Sequence, residues 1–522
     1  IVMLNNDTIT LPGWLDELVA TLDDPAIGMS GSKLLYPDGR LQEAGGIVWR
    51  DASAWNLGRL DQARRPEYSY RRDVDYMSGA SIALRADTWR LLRGFDDWYD
   101  VAYGEDTDLA FRVRQIGLRT ALQPLSMLVH FEGVSAGTDT AEGMKAYQIG
   151  NARKLAERWA PVLATHRPNA ESPELEKERS VTKRVLVIDA CTPEPDKDAG
   201  SLTCMELMRA FQKNGYKVTF IPEDNFLFMP HETRALQREG IEVIYWPFYG
   251  SVDDYLTRTG SLYEAVVIFR VGTAAKHIPT IRKRAPHARI MFHTSDVHFV
   301  REEREAALSG DTAMADRAKA TRTKELAVIN SADLTILHST YEASILAQAA
   351  PDARAYVFPW ILDTKPCELG PFDRSDMMFL GGYRHGPNVD AVKHFVADIW
   401  PLVRAELPDA RFHIVGSEAP SELRAMDGQN GIVFVGHVPD LDDAFRTIRM
   451  SVAPIRFGAG IKGKVAMSLA YGVPVVATTV AAEGMGLSHG EDALIADDPA
   501  EFARCVIALY RDHGLWERLS GA

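Results

Sequence analysis

From residue 184 onward, short runs of apolar residues alternate with longer amphipathic stretches. The runs are RVLVIDA, KVTFIP, EVIYWP, AVVIFR, RIMFH and LTILHS, followed from about residue 376 by MMFLGG, RFHIVGS, IVFVGH, MSVAPI, PVVATT and ALIADD. Strands that are apolar throughout and alternate with helices are typical of parallel sheets buried on both faces. In most runs of the second series the apolar stretch leads into glycine, serine, aspartate or proline, where an open α/β sheet places its ligand loops. The pattern predicts two successive α/β lobes, residues 184–370 and 371–522.

Residues 1–160 follow a different pattern, in which short β-like runs are mixed with helical stretches. The β-like runs are IVML, SIALR and MLVHF, and apolar residues recur at helical spacing over residues 11–22 and 105–116. Residues 161–183 then combine three prolines with many charges and few large apolar residues. That composition is typical of a linker between domains. We therefore predict a separate domain at residues 1–160 and a linker at residues 161–183.

The composition excludes several classes of protein. Hydrophobic residues make up 46% of the 522 residues, as in ordinary globular proteins, and the formal net charge is −14. An acidic total disfavours a protein that tracks nucleic acid, although it leaves room for a local basic pocket. The four cysteines form no CxxC pair, which argues against a zinc site or a disulfide frame. No apolar run approaches the roughly 18–20 residues of a membrane-spanning helix. The first residues, IVMLNNDT, lack the charged segment and cleavage site of a signal peptide.

Three polar strings in the first domain stand where a strand ends or a helix begins. LNNDT follows an apolar run, EDTD precedes a helix, and LVHFEG contains a histidine at the end of a third strand. Taken singly, an Asx turn, helix capping and a structural histidine explain them equally well. Three carboxylates within four residues nevertheless exceed what capping needs. The residues concerned are Asn5, Asn6, Asp7, Glu105, Asp106, Asp108 and His130.

In combination and in this order, the strings resemble glycosyltransferase family 2, whose members have the GT-A fold. The resemblance covers nearly all of residues 1–137. It implies that Asp7 and His130 bind Mg²⁺ or Mn²⁺ and that Asn5 and Asp7 contact the nucleotide-sugar donor. It also implies that Glu105 and Asp106 form the catalytic pair, with Asp106 as the base. Such a metal takes few protein ligands and offsets charge on the leaving nucleoside diphosphate, while a carboxylate deprotonates the acceptor hydroxyl. Trp55, Trp98 and Tyr99 are candidates for stacking on sugar rings, with a core role equally open.

The strongest string of the second region is APIRFGAGIKGKVAMSLAYGVPVVATTVAAEGM, residues 453–485. A glycine-rich loop leads into a helix that carries Lys464, and GVP then returns the chain to an apolar strand. Backbone N–H groups of such a loop, a helix N-terminus and a lysine together suit a diphosphate. For an isolated GxG, glycines that merely serve a tight turn are the better explanation. The combination of loop, lysine and strand favours a phosphate site.

This string, with FLGGYRHGPNVDAVKHF and HIVGS, resembles the donor-binding lobe of glycosyltransferase family 4, which has the GT-B fold. The resemblance extends over residues 184–522 and implies a retaining reaction without a metal. It assigns the donor-binding role to Gly200, Ser201, Arg384, Gly458, Ala459, Gly460, Lys464 and Glu483. Where many members have a ribose-binding glutamate, this chain has Met467. His293 and Asp296, in FHTSDVHFVREERE, are candidate catalytic or acceptor contacts, and Asp296 is equally explained as a helix cap.

The resemblances together predict an α/β protein in which a partial GT-A domain is followed by a GT-B fold of two Rossmann-like lobes. We expect a bifunctional glycosyltransferase that extends a surface polysaccharide, a lipid-linked glycan or a glycoprotein, with only one active module and a glycan-binding scaffold as the alternative. Nucleotide-sugar donors and a glycan or lipid-linked acceptor would be its partners, with no nucleic acid. Its expected place is the cytoplasm, at the inner face of the plasma membrane when the acceptor is lipid-linked. Because GT-A domains begin with a nucleotide-binding half and GT-B proteins end with a returning helix, we expect the sequence to be a piece cut at both ends.

Overall fold

A computed structural model describes residues 1–99, 103–131, 147–195, 199–365 and 369–522. Contacts divide the chain into two compact units. The first unit comprises Ile1–Val187 and Phe211–Glu264, and the second comprises Ile188–Ala210 and Ala265–Ala522. By their contacts residues 211–264 group with residues 1–187, and the lobe predicted at residues 184–370 stays a prediction.

Residues 1–187 contain short strands and helices in irregular alternation, as the mixed pattern predicts. The strands are β1 (Val2–Leu4), β2 (Thr8–Thr10), β3 (Ile27–Leu35), β4 (Leu41–Glu43), β5 (Gly46–Val48), β6 (Ala54–Asn56), β7 (Arg72–Asp73), β8 (Ser81–Leu84) and β9 (Arg119–His130). The helices are α1 (Trp14–Ala20), α2 (Ala86–Leu92), α3 (Glu105–Gln115), α4 (Tyr147–Arg158), α5 (Ala160–Leu163) and α6 (Pro173–Glu176). The strand runs IVML, SIALR and MLVHF are confirmed as β1, β8 and the end of β9.

The sheet of the first unit is mixed, with the order β1-β8-β3-β9-β2 and with β4 and β7 attached to β3 and β9. Only β3 and β9 are parallel among the pairs of this central order, since β1–β8, β3–β8 and β2–β9 are antiparallel. The pairing of β2 with β9 sets Thr8 opposite His130. This register brings the polar turn after β1 to the end of β9.

The segment predicted as a linker, residues 161–183, is packed in the structure. It includes α6 and several nearly inaccessible residues, among them Leu163, Glu176 and Glu178, which are 2%, 1% and 4% exposed. Glu176 binds Arg167 and Arg179. These contacts lie within the first unit, so the segment contributes to its core despite a linker-like composition.

The next part of the chain crosses between the units. Its elements are β10 (Lys183–Asp189), α7 (Ala199–Lys213), β11 (Tyr216–Pro222), α8 (Glu232–Arg238), β12 (Glu242–Val243) and α9 (Val252–Thr259). In the first unit β11 and β12 are parallel, and Lys217 on β11 binds Glu178 at 3.0 Å and Glu242 at 2.8 Å. Although burial alone raises the pKa of Glu178, Lys217 and Lys177 lower that pKa to about 2. A buried ion network therefore attaches residues 211–264 to the segment 161–183.

Residues 265–522 show the regular strand–helix alternation that the apolar runs predict. The strands are β13 (Ala265–Phe269), β14 (Arg289–His293), β15 (Leu334–Leu337), β16 (Ala355–Val357), β17 (Ser375–Leu380), β18 (Phe412–Val415), β19 (Ile432–Gly436), β20 (Ile448–Ala453), β21 (Val475–Ala477) and β22 (Leu494–Ile495). The helices are α10 (Val271–Arg284), α11 (His298–Ser309), α12 (Thr312–Ser331), α13 (Thr340–Ala349), α14 (Gly386–His394), α15 (Trp400–Glu406), α16 (Ser421–Arg424), α17 (Leu441–Thr447), α18 (Gly463–Ala470), α19 (Thr479–Ala482), α20 (Pro499–Arg511) and α21 (His513–Gly521).

All the strand pairings of this region are parallel. Strands β13 to β16 are neighbours in chain order, with Phe269 opposite His293 and His293 opposite Ile336. A second sheet has the order β19-β18-β17-β20-β21-β22, and its buried face packs on α14, α15 and α20. Because parallel strands share one carboxyl edge, the loops after β14, β15, β17 and β20 are the places where a ligand site is expected.

Among the residues with described structure, no helix combines the length and the apolar composition needed to cross a lipid bilayer. Cys191, Cys204 and Cys505 are free thiols, while Cys367 lies outside the described residues. The same holds for residues 132–137 of the family 2 resemblance and for 196–198 of DKDAGS.

Candidate functional site

The turn that carries Asn5 and Asp7 lies against the end of β9 in the first unit. The Asn5 amide donates to Ala80 O at 3.0 Å, and Phe131 N donates to Asp7 O at 2.9 Å. These bonds fix the turn at both ends. As a result His130 Nε2 lies 3.4 Å from Asp7 Oδ1, so two residues 123 positions apart in sequence become neighbours, as the resemblance requires.

Gln42 fixes the orientation of the His130 ring. Its Oε1 lies 3.0 Å from His130 Nδ1, and an amide oxygen can only accept, so Nδ1 carries the proton and Nε2 presents a lone pair. An imidazole held in this way beside a carboxylate suits a divalent cation. Across the described parts of the chain, no three His, Cys, Asp or Glu residues are close enough to form a complete cage. Asp7 and His130 therefore fit a metal such as Mg²⁺ or Mn²⁺ that takes its other ligands from phosphate and water.

Asp106 stands in the first turn of α3, held by a neighbouring loop. Its Oδ2 accepts from Gly79 N at 3.0 Å and its Oδ1 accepts from Thr107 N at 2.6 Å. Ala80, the residue after Gly79, is the one that binds Asn5. Burial raises the pKa of Asp106, and the bonds from Gly79 and Thr107 oppose that rise. The loop 78–80 thus connects the turn of Asn5 and Asp7 to the predicted base.

Glu105 lies beside Asp106 and is less constrained. Its Oε2 is buried and has no hydrogen-bond partner within the described ranges. Burial first, and then the neighbouring Asp106, raise the pKa of Glu105 to about 7. The carboxyl can therefore exchange a proton near neutral pH, as a group that shares catalysis with Asp106 would need to do.

Asp108, the third carboxylate of the cluster, is a core residue. It is fully buried, and it accepts from Trp159 Nε1 at 2.8 Å, Arg112 Nε at 2.6 Å and Tyr99 OH at 3.2 Å. Tyr99 is accordingly buried, whereas Trp98 and Trp55 are 41% and 39% exposed. Of the three candidate sugar-stacking rings, only the two tryptophans are open to solvent.

In the second unit His293 ends β14 and is 1% exposed. Its ring stacks on Phe269 at 4.3 Å and meets the His338 ring edge-on at 4.9 Å. Ser295 N donates to Nδ1 at 3.1 Å, so Nε2 carries the proton, yet Nε2 is buried with no partner among the residues that the structure describes. Burial lowers the pKa of His293 well below its usual value, assisted by His338 and Arg270. His293 is a neutral, unused hydrogen-bond donor.

Asp296 forms ion pairs with two neighbouring side chains. Its Oδ1 lies 2.9 Å from His298 Nδ1, and its Oδ2 binds Arg301. Burial alone raises the pKa of Asp296, but His298 and Arg301 outweigh it and hold that pKa well below the usual range. The predicted cluster of His293, Asp296 and His298 is therefore close together in the structure.

The glycine loop of residues 458–460 packs directly on Asp296. Gly460 has φ +69°, and a Cβ added there would lie 3.2 Å from Asp296 Cβ. Lys462 Nζ donates to Gly460 O at 2.6 Å, and Lys464 Nζ lies 5.4 Å from the centre of the Phe379 ring. Burial lowers the pKa of Lys464 to about 7, with help from Lys462, and lowers the pKa of Lys462 to about 8. A bound anion would raise the pKa of both lysines again, because a nearby opposite charge favours the charged form.

Some predicted donor contacts have other partners in this structure. Arg384 has an 83% exposed side chain that binds Glu418, while the next residue, His385, lies near enough to Arg301 and Lys464 for burial and their charges to lower its pKa to about 4. Glu483 forms two bonds to Arg304, at 3.0 and 2.7 Å.

Two further predictions concern the start of α7 and the position of the ribose-binding glutamate. Gly200 and Ser201 lie in the first turn of α7, with Ser201 3% exposed. Met467 packs against an apolar cluster with Phe445 and Val415, which explains why no carboxylate stands there.

Sequence reasoning missed several residues of this site. Arg304 donates to Gly458 O at 2.7 Å and so fixes the glycine loop as well as Glu483. Glu342 lies in a capping box with Ser339, a signal that the string STYE gives in sequence. A groove of about 590 Å³ opens nearby and includes Tyr383, Arg456 and Phe457 in its lining. The residues missed are Arg301, Arg304, Glu342, His385 and Lys462.

Parts of the chain are similar to known glycosyltransferases and to a protein of O-antigen biosynthesis. Residues 374–512 match the family described as "Glycosyl transferases group 1". The chain is similar to the O-antigen biosynthesis protein RfbC of Myxococcus xanthus, with 32% identity over 145 residues, which are 27% of this chain and 11% of that protein. It is also similar to the pre-mycofactocin glycosyltransferase of Mycobacterium tuberculosis, with 27% identity over 30% of this chain and 32% of the relative. The chain thus spans a third or less of the length of these two curated relatives.

Among solved structures, the chain resembles the sucrose-phosphate synthase of Thermosynechococcus elongatus. The TM-score is 0.51 at 14% identity, over 65% of this chain and 92% of that one. A likeness at this identity concerns the fold, which is GT-B-like. Together the matches support a transferase of the glycosyltransferase class.

Proposed function

We propose that this protein is a glycosyltransferase with one site in each unit, an inverting, metal-dependent site of GT-A type and a retaining site of GT-B type. One observation carries the proposal: a buried lysine and a half-buried lysine follow a glycine loop, in a region with buried polar atoms that lack partners among the described residues. Lys462 and Lys464 supply the charge, and the buried atoms His293 Nε2, Glu342 Oε1 and Asn388 Oδ1 have no partner in the described structure. Buried polar groups are normally paired. An anionic, hydroxyl-rich ligand such as a nucleotide sugar satisfies both needs.

In the second unit the diphosphate of the donor would lie at the glycine loop. Gly458, Ala459 and Gly460 offer backbone N–H groups, and α18 begins directly afterwards at Gly463. A helix N-terminus and a lysine are the groups that proteins use for phosphate. Gly200 and Ser201 are proposed as additional donor contacts, in keeping with the family 4 resemblance.

We expect Lys464→Ala to weaken nucleoside diphosphate binding by about 10- to 100-fold, because a hydrogen bond from a charged group contributes about 1.5–3 kcal/mol. The wild-type affinity should also fall as the pH rises through about 7, because Lys464 loses its proton there. Isothermal titration of the full chain with UDP, GDP, ADP and dTDP measures both effects. Lys319→Ala, which removes an exposed lysine paired with Asp316, is the control. Equal affinity in the two variants would contradict the assignment.

In the first unit Asp7 and His130 would hold Mg²⁺ or Mn²⁺, with Asn5 lining the donor site. The ion supplies charge neutralisation for the departing diphosphate. Gln42 keeps His130 Nε2 available, and the loop 78–80 holds Asp106 across from the turn. Asp106 accepts the proton of the acceptor hydroxyl. Because the pKa of Glu105 is raised, Glu105 can take that proton from Asp106 and release it to solvent.

The metal assignment can be tested without any transfer assay. We expect Asp7→Ala to weaken Mn²⁺ binding by more than the roughly 10- to 100-fold that loss of an outer partner costs. Titration of the full chain with Mn²⁺, followed by electron paramagnetic resonance, gives the affinity. Asp38→Ala removes a carboxylate that is half exposed and paired with Arg40, and it should bind Mn²⁺ as the wild type does. Identical titrations for both variants would refute the site.

A second candidate function has one supporting observation, the apolar setting of Met467. Without a ribose-binding glutamate there, the second unit would serve as a glycan- or nucleotide-binding scaffold beside a single active site. Either way we propose a growing glycan as the acceptor, since one relative is named for O-antigen biosynthesis. A cytoplasmic site of action follows from nucleotide-sugar donors.

A further inference from the structure

Two buried glutamates cap neighbouring helices of the second unit in different ways. Glu325 caps α11, and both of its oxygens are used: Oε1 accepts from His298 N at 3.2 Å and Oε2 from Phe299 N at 3.0 Å. Glu342 caps α13 with one oxygen only. Its Oε2 accepts from His338 N at 3.0 Å and from Ser339 N at 3.1 Å. The second oxygen of Glu342 is therefore not needed by the helix.

That second oxygen faces the glycine loop. Glu342 is 2% exposed, and its Oε1 is buried with no partner in the described part of the chain. The position that a Cβ on Gly460 would occupy lies 3.6 Å from Oε1. Gly460 is the residue whose carbonyl binds Lys462. An acceptor atom thus stands at the edge of the proposed phosphate loop, where nothing from the helix occupies it.

The other carboxylates of this site are already paired. Asp296 binds His298 and Arg301, and Glu483 binds Arg304. The position of the ribose-binding glutamate is taken by Met467, and position 459, eight residues earlier, is an alanine. Glu342 consequently offers the carboxylate oxygen that remains for a ligand.

Charges around Glu342 act in both directions. Burial raises its pKa to about 7, Asp296 on the 294–298 loop adds to the rise, and Lys462 opposes it. His338, at the end of β15, is neutral because burial lowers its pKa. Glu483 is neutralised by Arg304. A carboxylate in this place repels phosphate and accepts from hydroxyl groups.

We propose that Glu342 Oε1 accepts a hydrogen bond from a hydroxyl of the donor sugar, so that Glu342 lets the site favour a nucleotide sugar over the bare nucleoside diphosphate. The inference rests on the proposed donor site of the second unit. The phosphates are left to Lys462 and Lys464, and the sugar attached to them lies next to the loop at Gly460. Glu342 is thus a specificity residue whose capping oxygen and ligand oxygen are separate atoms.

The test compares two pairs of ligands in two variants of the full chain. Isothermal titration gives the affinity for UDP and UDP-glucose, and for GDP and GDP-mannose, and the ratio within each pair isolates the sugar. Glu342→Gln keeps an amide oxygen for the cap but places a donor NH₂ at the ligand position. We expect the ratio to fall about tenfold or more in this variant, the factor that a charge-assisted hydrogen bond provides. Glu325→Gln, an equally buried cap, should leave the ratio unchanged.

The pH profile separates binding from a structural role. In the wild type the ratio should rise as the pH passes about 7, because Glu342 then becomes a carboxylate, and Glu342→Gln should abolish that rise. An unchanged ratio, or an equal loss of diphosphate and sugar-nucleotide affinity, would overturn the inference while the donor site stands. If the wild type binds no nucleotide of either pair, the proposed donor site fails and the inference fails with it.

Discussion

Replacing Asp106 by asparagine is expected to slow sugar transfer at the first unit's site about 10²- to 10⁴-fold, the usual contribution of a general base. Asparagine keeps an oxygen for Gly79 N, 3.0 Å away in the wild type, so the loop 78–80 should stay in place. The free energy of unfolding should change by less than about 1 kcal/mol. Burial raises the pKa of Asp106, so the charge of Asp106 does not stabilise the folded protein. Transfer from a radiolabelled nucleotide sugar, together with urea denaturation, measures both quantities.

The same experiment decides whether both units are catalytic. Asp106→Asn and Lys464→Ala should remove different glycosidic linkages from the product, which linkage analysis distinguishes. Loss of one and the same linkage in both variants would leave a single active unit and favour the scaffold function for the other. Unchanged transfer in Asp106→Asn would remove Asp106 from the mechanism.

Asp108→Ala should act on the fold instead. We expect it to lower the free energy of unfolding by about 3–5 kcal/mol, the range for removing one partner of a buried ion pair. Arg112, which is 9% exposed, would lose its counter-charge, and Trp159 Nε1 would lose an acceptor at 2.8 Å. Urea denaturation of the full chain, followed by tryptophan fluorescence, gives the change in unfolding free energy.

Asp106→Asn is the matched control, two residues away on the same helix turn. The two variants should show opposite profiles, one with lost activity and a stable fold, the other with a weakened fold. If Asp108→Ala unfolds at the same urea concentration as the wild type, the hydrogen bonds assigned to Asp108 do not contribute to stability.

Most strands of the second unit were predictable because each contains a run of apolar residues, although β17, β18 and β20 also contain polar ones and β16 matches no predicted run. Every run from AVVIFR to ALIADD contains a strand in the structure, since strands buried on both faces cannot carry polar residues without a cost. The approach of Asp7 to His130 was predictable only through the family resemblance. Their contact depends on the register of β2 and β9, which no local pattern contains.

The division of labour among carboxylates was not visible in the sequence. EDTD gives no sign that Asp108 is enclosed by Trp159 and Arg112 while Asp106 receives a loop amide, because the partners come from distant segments. In sequence Glu342 shows only the capping box of STYE, and Glu325 resembles an ordinary helix residue. They differ in the second oxygen of Glu342, which has no partner among the described residues and lies near the Gly460 loop.

Composition was also a poor guide to residues 161–183. Their prolines and charges predict a solvated connection, yet Glu176 and Glu178 are buried. Each charge has an arginine or lysine partner, supplied partly from residues far away in sequence, such as Lys217. A charge-rich composition indicates a solvent-exposed segment only when no oppositely charged partners from elsewhere in the chain pack against it.

Lys217 also bears on how the protein could be re-engineered. The chain leaves the first unit within β10, returns to it within α7 and departs again after Glu264, so neither unit is one continuous block of sequence. Modules joined end to end can be exchanged between enzymes at a single junction. Here, exchanging everything after residue 183 would remove Lys217 and leave Glu178 buried without its closest cation. Changes to the second unit therefore call for point substitutions, such as those around Gly460, because a swap at residue 183 would damage the fold of the first unit.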